Sequence, residues 1–237
     1  YDWFYNVVAN PTLWFLQHYL WNFAQAPNID RGLHHAWEEG YVTVNAGFAE
    51  AVVAELEAEP GSPVFFHDYH LYLAPRFVRT RMPDAALSHF VHIPWPEPDY
   101  WRVLPEAIRR ALHDGLLAND VVGFHTDHWR RNFLRSCADI LGAECDFMDG
   151  VAEYDGRTIH ATSRPISVDP AEFDELAGSD EVREREDELV ASRPERLILR
   201  VDRTDPSKNV VRGFRAFERF LTDHPEYHGR VAMLAHL

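Results

Sequence analysis

The sequence predicts an α/β fold with doubly wound sheets, and three observations carry that expectation. Short apolar runs alternate along the chain with stretches of helical periodicity. Several of those runs stop abruptly in a polar cluster, as buried parallel strands do at their carboxyl edge. At 237 residues with 46% hydrophobic content and no low-complexity segment, the chain can bury one large core or two small ones.

Apolar residues recur at helical spacing from Thr12 to Phe23. Asp30 to Glu59 reads as one long helix broken near Gly40, with Leu33, Trp37, Val44, Phe48 and Val52 on one side. The period then changes. Pro63 to His67 is a short apolar run between a Gly-Ser-Pro turn and a polar cluster, the pattern of a buried strand. A helix over Leu71 to Arg81 leads to a second strand, Ala86 to Ile93, which ends in Pro94-Trp95-Pro96. A helix over Pro105 to Leu117, a strand over Asp120 to His125 and a helix over Asp127 to Leu141 repeat the rhythm. Asp155-Gly156 centres a hairpin, Pro165 to Pro170 reads as a crossing segment, and Glu181 to Val190 as a charged, solvated helix. Arg196 to Val201, Val210 to Asp223 and Arg230 to Leu237 then begin a second α/β unit as strand, helix and strand.

The formal charge of −15 argues against nucleic acid or an anionic membrane as partner, since both demand a basic surface. No apolar run approaches the roughly 20 residues that span a bilayer. Cys137 and Cys145 offer neither a disulfide framework nor a C-x-x-C metal site, which points to a reducing cytoplasm. Arginine outnumbers lysine 22 to 1. Coding bias in a GC-rich genome explains the skew, yet it makes Lys208 informative, because a compact ammonium on a flexible stem is poorly replaced by a planar guanidinium.

In open α/β sheets, ligands bind beyond the carboxyl ends of the strands. Four polar clusters fall there: His67-Asp68-Tyr69-His70, His92 to Pro96, His125-Thr126-Asp127, and Arg203 to Lys208, so one crevice is expected to gather them. The histidines raise the question of a metal, but strand alternation keeps His89 and His92 on opposite faces and no H-E-x-x-H pattern occurs, so no metal is expected. Capping of strands and helices is the plain reading of this cluster. The functional one is acceptance of sugar hydroxyls by the ionised Asp68 carboxylate. Arg203 to Asn209 lies between a strand and a helix start, where cations and the helix N-terminus suit a diphosphate. Its spacing is neither a P-loop nor G-x-G-x-x-G, and a capping Asp/Ser turn would look the same. The early aromatics Trp3, Phe4, Tyr5, Trp14, Phe15, Tyr19, Trp21 and Phe23 read as core or interface, with carbohydrate-pocket walls as the functional alternative.

These clusters are ordered as in a known family. Tyr5-Asn6, Asn10, Leu13-Trp14 and His18-Tyr19 resemble Y-N-x-F-S-N-x-x-L-W-P-x-x-H-Y, and Tyr41 to Asn45 resembles Y-x-x-V-N. His67 to Leu71 matches H-D-Y-H-L, His92 to Pro96 matches H-I-P-F/W-P, Val122 to Thr126 is similar to G-F-Q/H-T, and Arg203 to Lys208 to R-L-D-Y-S-K. Across nearly its whole length the chain resembles the trehalose-6-phosphate synthases, retaining glycosyltransferases of the GT-B fold with two Rossmann-like domains.

The resemblance implies that residues 1–168 are the later part of the N-terminal, acceptor-side domain and 169–237 the start of the nucleotide-sugar donor domain. It implies transfer of glucose from UDP- or GDP-glucose to glucose 6-phosphate with retention, with no cofactor and no metal, by a cytoplasmic homo-oligomer. Tyr5, Trp14 and Asp68 would contact the acceptor, Asp68 holding a hydroxyl; His92 would face the transferred sugar; Arg203 and Lys208 would grip the diphosphate and stabilise its departure. Asp68, His92, Arg203 and Lys208 are thus the expected catalytic set. The opening on Tyr1 and the strand-like close further suggest an internal portion of such an enzyme, inactive alone.

Two departures bear on the donor side and the hinge. R-L-D-Y-S-K-G appears as Arg203-Thr204-Asp205-Pro206-Ser207-Lys208-Asn209, and P-I-G-I/V-D as Pro165-Ile166-Ser167-Val168-Asp169. The first form, with Asp99-Tyr100-Trp101-Arg102, also resembles relatives that couple a nucleotide-activated cyclitol to an aminocyclitol phosphate, whereas His70 favours the trehalose-phosphate enzymes. A non-catalytic regulatory relative is the third alternative.

Overall fold

The structure, a computed structural model, describes residues 1–21 and 28–237. Its contacts divide the chain into two units, Tyr1–Ile166 and Ser167–Leu237.

The first unit opens with a π-helix, Trp3–Trp14, continued by the short α1 (Phe15–Gln17). The helix therefore starts nine residues before Thr12, where periodicity placed it, and Tyr19, with φ of +57°, turns the chain away after it. Pro11 lies inside, and the wider turn accommodates it: the Thr12 hydroxyl donates to the Val7 carbonyl over 2.8 Å. Phe23 lies outside the described residues.

α2 (Arg31–Ala36) is capped by Asp30, whose Oδ1 accepts from the Leu33 N–H over 3.0 Å. It runs through a π-helical turn, Trp37–Val42, into α3 (Thr43–Ala58). The expected break near Gly40 is thus a widened turn. Its cause is close packing, since a Cβ on Gly40 would lie 2.7 Å from the Trp3 Cβ and 2.9 Å from the Phe4 nitrogen.

β1 (Val64–His67), α4 (Ala74–Arg81), β2 (Leu87–Val91), α5 (Glu106–Leu117), β3 (Val121–Phe124) and α6 (Asp127–Leu141) follow. The bounds of α6 equal those expected, because both caps are written locally: the Thr126 hydroxyl accepts from the Trp129 N–H over 3.2 Å, and Gly142 ends the helix at φ +73°. β4 (Glu144–Asp146) was not legible in the sequence. β5 (Val151–Tyr154) and β6 (Arg157–Ser163) form the expected hairpin, with Asp155 and Gly156 at φ of +52° and +70°.

The sheet order is β1-β2-β3-β6-β5-β4; β1, β2, β3 and β6 are parallel, while β5 and β4 pair antiparallel. Residues alternate across it. Phe66, Leu87, Val91, Val122, Phe124 and Ile159 are buried, whereas Phe65 and His160 are exposed. Fully buried Trp95, Trp101, Tyr72 and Phe133 fill the core. Within it, His113 Nδ1–H donates to the Arg109 carbonyl over 2.7 Å, which leaves Nε2 as an acceptor 3.0 Å from Ser136 Oγ; that hydroxyl donates to the Phe133 carbonyl over 2.8 Å and accepts from Trp95 Nε1 at 3.0 Å.

The second unit contains α7 (Pro170–Ala177), α8 (Asp180–Ser192), β7 (Arg196–Val201), α9 (Val210–Asp223) and β8 (Val231–His236). β7 and β8 pair in parallel from Arg196 opposite Val231 to Val201 opposite His236. α7 went unread because only Phe173 and Leu176 give it an apolar face, although the Asp169 cap and Pro170 at its first turn are a start signal.

Candidate active site

β1 ends at His67, and the next residue breaks a backbone rule. Asp68 has φ +61° and ψ −177°, a region tenanted almost entirely by glycine. Surrounding contacts hold it there. Its N–H donates to the Phe90 carbonyl over 2.8 Å, its carbonyl accepts from His89 Nε2 at 3.0 Å, and its Oδ1 accepts from the His92 N–H at 3.1 Å. Burial raises the Asp68 pKa, against the opposing hydrogen bond from His92 and the nearby His92 and His70 rings. The result is a half-buried carboxylate at the carboxyl ends of β1 and β2, with acceptor capacity left for a ligand hydroxyl.

The two histidines of the metal question lie in different settings, because β2 ends at Val91, between them. His89 is buried, and burial drives its pKa down to about 3; His92 is exposed beyond the strand end. His92 Nε2 lies 3.0 Å from His67 Nδ1, and its ring centroid is 5.6 Å from that of His125. Burial, followed by the nearby charges of His67 and His125, lowers the His92 pKa against the pull of Asp68. Among the described residues, no group of three or more His, Cys, Asp or Glu is arranged to hold a metal ion.

The backbone after Asp68 is braced by side chains that sequence analysis noted only as part of a motif. Buried Asn45 donates through Nδ2 to the carbonyls of Tyr41 (2.9 Å) and His70 (3.0 Å), and its Oδ1 accepts from the N–H groups of Leu73 (3.1 Å) and Ala74 (3.0 Å). The Tyr41 hydroxyl donates to the Tyr69 carbonyl over 2.5 Å. The one available signal was their spacing of four on a helix, which puts both on one face.

Tyr5 stacks on His70 with centroids 5.6 Å apart and planes 9° apart; His70 in turn meets Tyr69 at 4.0 Å, and the Tyr69 hydroxyl donates to Asn10 over 2.7 Å. Tyr5, His70 and Tyr69 therefore form one chain of ring contacts that begins at the residues following Asp68. Trp14 is half-buried and packs on His18 at 4.1 Å and on Phe15 at 5.4 Å. Tyr19, an expected core aromatic, is half exposed, and its hydroxyl accepts from the Glu97 N–H over 2.7 Å, pinning the Pro94–Glu97 stretch.

Arg203 and Lys208 belong to the second unit. β7 leads to an Asp205-capped turn, Pro206–Lys208, where Asp205 Oδ1 accepts from the Ser207 N–H at 3.0 Å; Asn209, at φ +53°, then enters α9. The hydrogen bonds from Ser207 hold the Asp205 pKa low. Arg203 is exposed, 3.7 Å from Asp205 Oδ2, and Lys208 is half-buried. A hollow of about 400 Å³ beside this turn is lined by Thr204, Asp205, Pro206, Asn209, Val210 and Arg212. A larger one, about 500 Å³ between Leu56, Gly61, Arg81 and Ala86, lies at the amino-terminal ends of β1 and β2 and touches none of the candidate residues.

The glycosyltransferase family 20 profile matches residues 1–236. The chain belongs to that family. It is 36% identical to the UDP-forming alpha,alpha-trehalose-phosphate synthase of Schizosaccharomyces pombe over 97% of its own length and 43% of that protein. Identity is 33% to the validamine 7-phosphate valienyltransferase of Streptomyces hygroscopicus subsp. jinggangensis, over 90% of this chain and 42% of that one. The fold matches the crystal structure of alpha,alpha-trehalose 6-phosphate synthase from Burkholderia multivorans with a TM-score of 0.81 and 31% identity, covering 99% of this chain and 49% of the other. As a family 20 chain with this match, it has the GT-B fold type; it spans less than half the length of these relatives.

Proposed function

We propose that this chain supplies part of a retaining glucosyltransferase, an alpha,alpha-trehalose-phosphate synthase that moves glucose from a nucleoside diphosphate glucose to glucose 6-phosphate. The observation that carries it is Asp68, held in a glycine-like backbone conformation between His89 and His92, with its carboxylate fixed by the His92 N–H and near the His70 ring on which Tyr5 stacks. A scaffold that stores strain in one carboxylate has fixed its direction for a ligand.

In this reading residues 1–168 serve the acceptor and 169–237 begin the donor side. The Asp68 carboxylate accepts an acceptor hydroxyl, Tyr5 and Trp14 supply apolar walls, and His92 faces the transferred sugar. Arg203 and Lys208 neutralise the charge that grows on the departing diphosphate, and the acceptor hydroxyl attacks the anomeric carbon from the leaving group's side as that bond breaks. A diphosphate oxygen takes its proton, so no protein base is needed. The names of the trehalose-forming relatives favour UDP over GDP. A cytoplasmic setting, supported by two free cysteines, and a homo-oligomeric state complete the proposal.

Coupling of a nucleotide-activated cyclitol is the second reading, favoured by the 33% identity to the valienyltransferase and by Thr204-Asp205-Pro206. Asp99-Tyr100-Trp101-Arg102 lends it less support, since Trp101 is buried and Arg102 pairs with Asp139 at 2.9 Å, which are structural tasks.

Product analysis of the full-length protein with glucose 6-phosphate and UDP- or GDP-glucose tests the proposal. Nucleoside diphosphate release with a phosphorylated disaccharide of retained configuration is expected. A folded protein that turns over neither donor would overturn it and favour the cyclitol coupling or a non-catalytic role.

A further inference from the structure

The turn that carries Lys208 is held by a side chain with no part in the roles above. Arg200 sits at the carboxyl end of β7 and is 19% exposed. Its Nε donates to Asp202 Oδ2 over 2.7 Å, and its Nη2 donates to the main-chain carbonyl of Lys208. Its Nη1 lies against α9 at Gly213, where any Cβ would collide with it. One guanidinium thus touches the strand end, the turn and the helix, using the fixed fork that only arginine offers. From the other side, the Lys208 N–H donates to the Asp205 carbonyl over 3.1 Å. Both polar groups of the Lys208 backbone are therefore tied down, and the side chain departs from a fixed point.

We propose that Arg200 is a positioning residue that aims the Lys208 ammonium at the donor's diphosphate by tethering the Lys208 carbonyl to β7 and α9, with Gly213 leaving room for the fork. This rests on the reading of Lys208 as a diphosphate ligand. A cation launched from a fixed backbone loses less freedom on binding an anion than one on a free turn, so the tether acts on donor affinity and on charge stabilisation in the transition state, leaving the acceptor's own contacts alone.

The test uses the full-length protein and two independent perturbations: Arg200→Met, paired with Asp202→Asn so that no carboxylate is stranded, and Gly213→Ala, which displaces the fork without changing charge. UDP affinity by calorimetry should weaken about tenfold, donor KM should rise in step, and the KM for glucose 6-phosphate should stay unchanged. In a Lys208→Ala background, either perturbation should add less than about twofold, because the group it aims is gone. Arg200→Lys, a point charge in place of the fork, should recover only part of the loss. If Arg200→Met fails to fold, Gly213→Ala carries the test. An undiminished effect in the Lys208→Ala background, or equal changes in both KM values, would make Arg200 merely structural and overturn the inference. Lys208→Ala that weakens UDP while both perturbations leave it untouched overturns the inference alone. Lys208→Ala with no effect on UDP overturns the reading of Lys208 and the inference with it.

Discussion

The main-chain N–H of His92 donates to the Asp68 carboxylate over 3.1 Å, so the ends of two neighbouring parallel strands are joined by the side chain expected to touch substrate. Asp68 reaches that position only by adopting φ +61° with ψ −177°. Strain at this residue and its proposed role at the site are two aspects of one arrangement.

Asp68→Gly should therefore leave the fold at least as stable while abolishing transfer. Relief of a backbone conformation that costs about 1–3 kcal/mol is offset by loss of the bond to His92 and by glycine's unfolded-state freedom. The expected net is a small gain or no change in denaturant midpoint. Asp68→Asn, which keeps size and strain, should lower kcat/KM for the acceptor at least about a hundredfold, since a neutral amide is a poorer acceptor for a hydroxyl. Chemical denaturation alongside steady-state kinetics checks both.

Asn45→Ala removes the brace behind the site. Four backbone groups, at Tyr41, His70, Leu73 and Ala74, each lose a hydrogen bond in a largely buried setting. A loss of about 2–4 kcal/mol is expected from the desolvation cost of such groups, read as a lowered urea midpoint.

Asp120 receives bonds from the Leu87 N–H at 2.8 Å, from Arg79 at 3.1 Å, and from Arg157. Arg79 is buried, with further bonds to the carbonyls of Ala118, Pro83 and Ala85. Asp120→Ala would strand that charge and should cost about 3 kcal/mol. The double variant with Arg79→Met should recover part of it, and a double-mutant cycle by denaturation measures the coupling.

His89 and His113 predict an acid limit to stability. Burial lowers their pKa values from 6.5 to about 3 and about 4, with backbone hydrogen bonds opposing the shift in each case. In the folded protein both stay neutral below pH 6, whereas in the unfolded chain both bind protons below the ordinary histidine value, so the unfolded state holds more protons there. Their contribution is fully present above about pH 6.5 and is lost as pH falls toward about 4. Urea titrations between pH 7.5 and 4.5 should show this fall, and His113→Asn should flatten it.

Elements whose signals are local were readable before the structure. α6 carries its own Thr126 cap and Gly142 stop, and the β5-β6 hairpin its Asp155-Gly156 turn. The π-helix at Trp3–Trp14 was misplaced because a period between helical types blurs the apolar stripe, and β4 was missed because three residues give no pattern.

The sequence by itself determined the alternation of strands and helices, the strand-end location of Asp68, His92, Arg203 and Lys208, and the family resemblance, since each is written in periodicity or in contiguous residues. Only the tertiary structure decided that Asn45 and Tyr41 brace the segment after Asp68, that Tyr5 faces His70 while Trp14 packs on His18, and that Arg200 reaches both Lys208 and Gly213. Those relations join residues far apart along the chain, or turn on which way a side chain points. Both are set by packing, and neither leaves a periodic trace in the sequence.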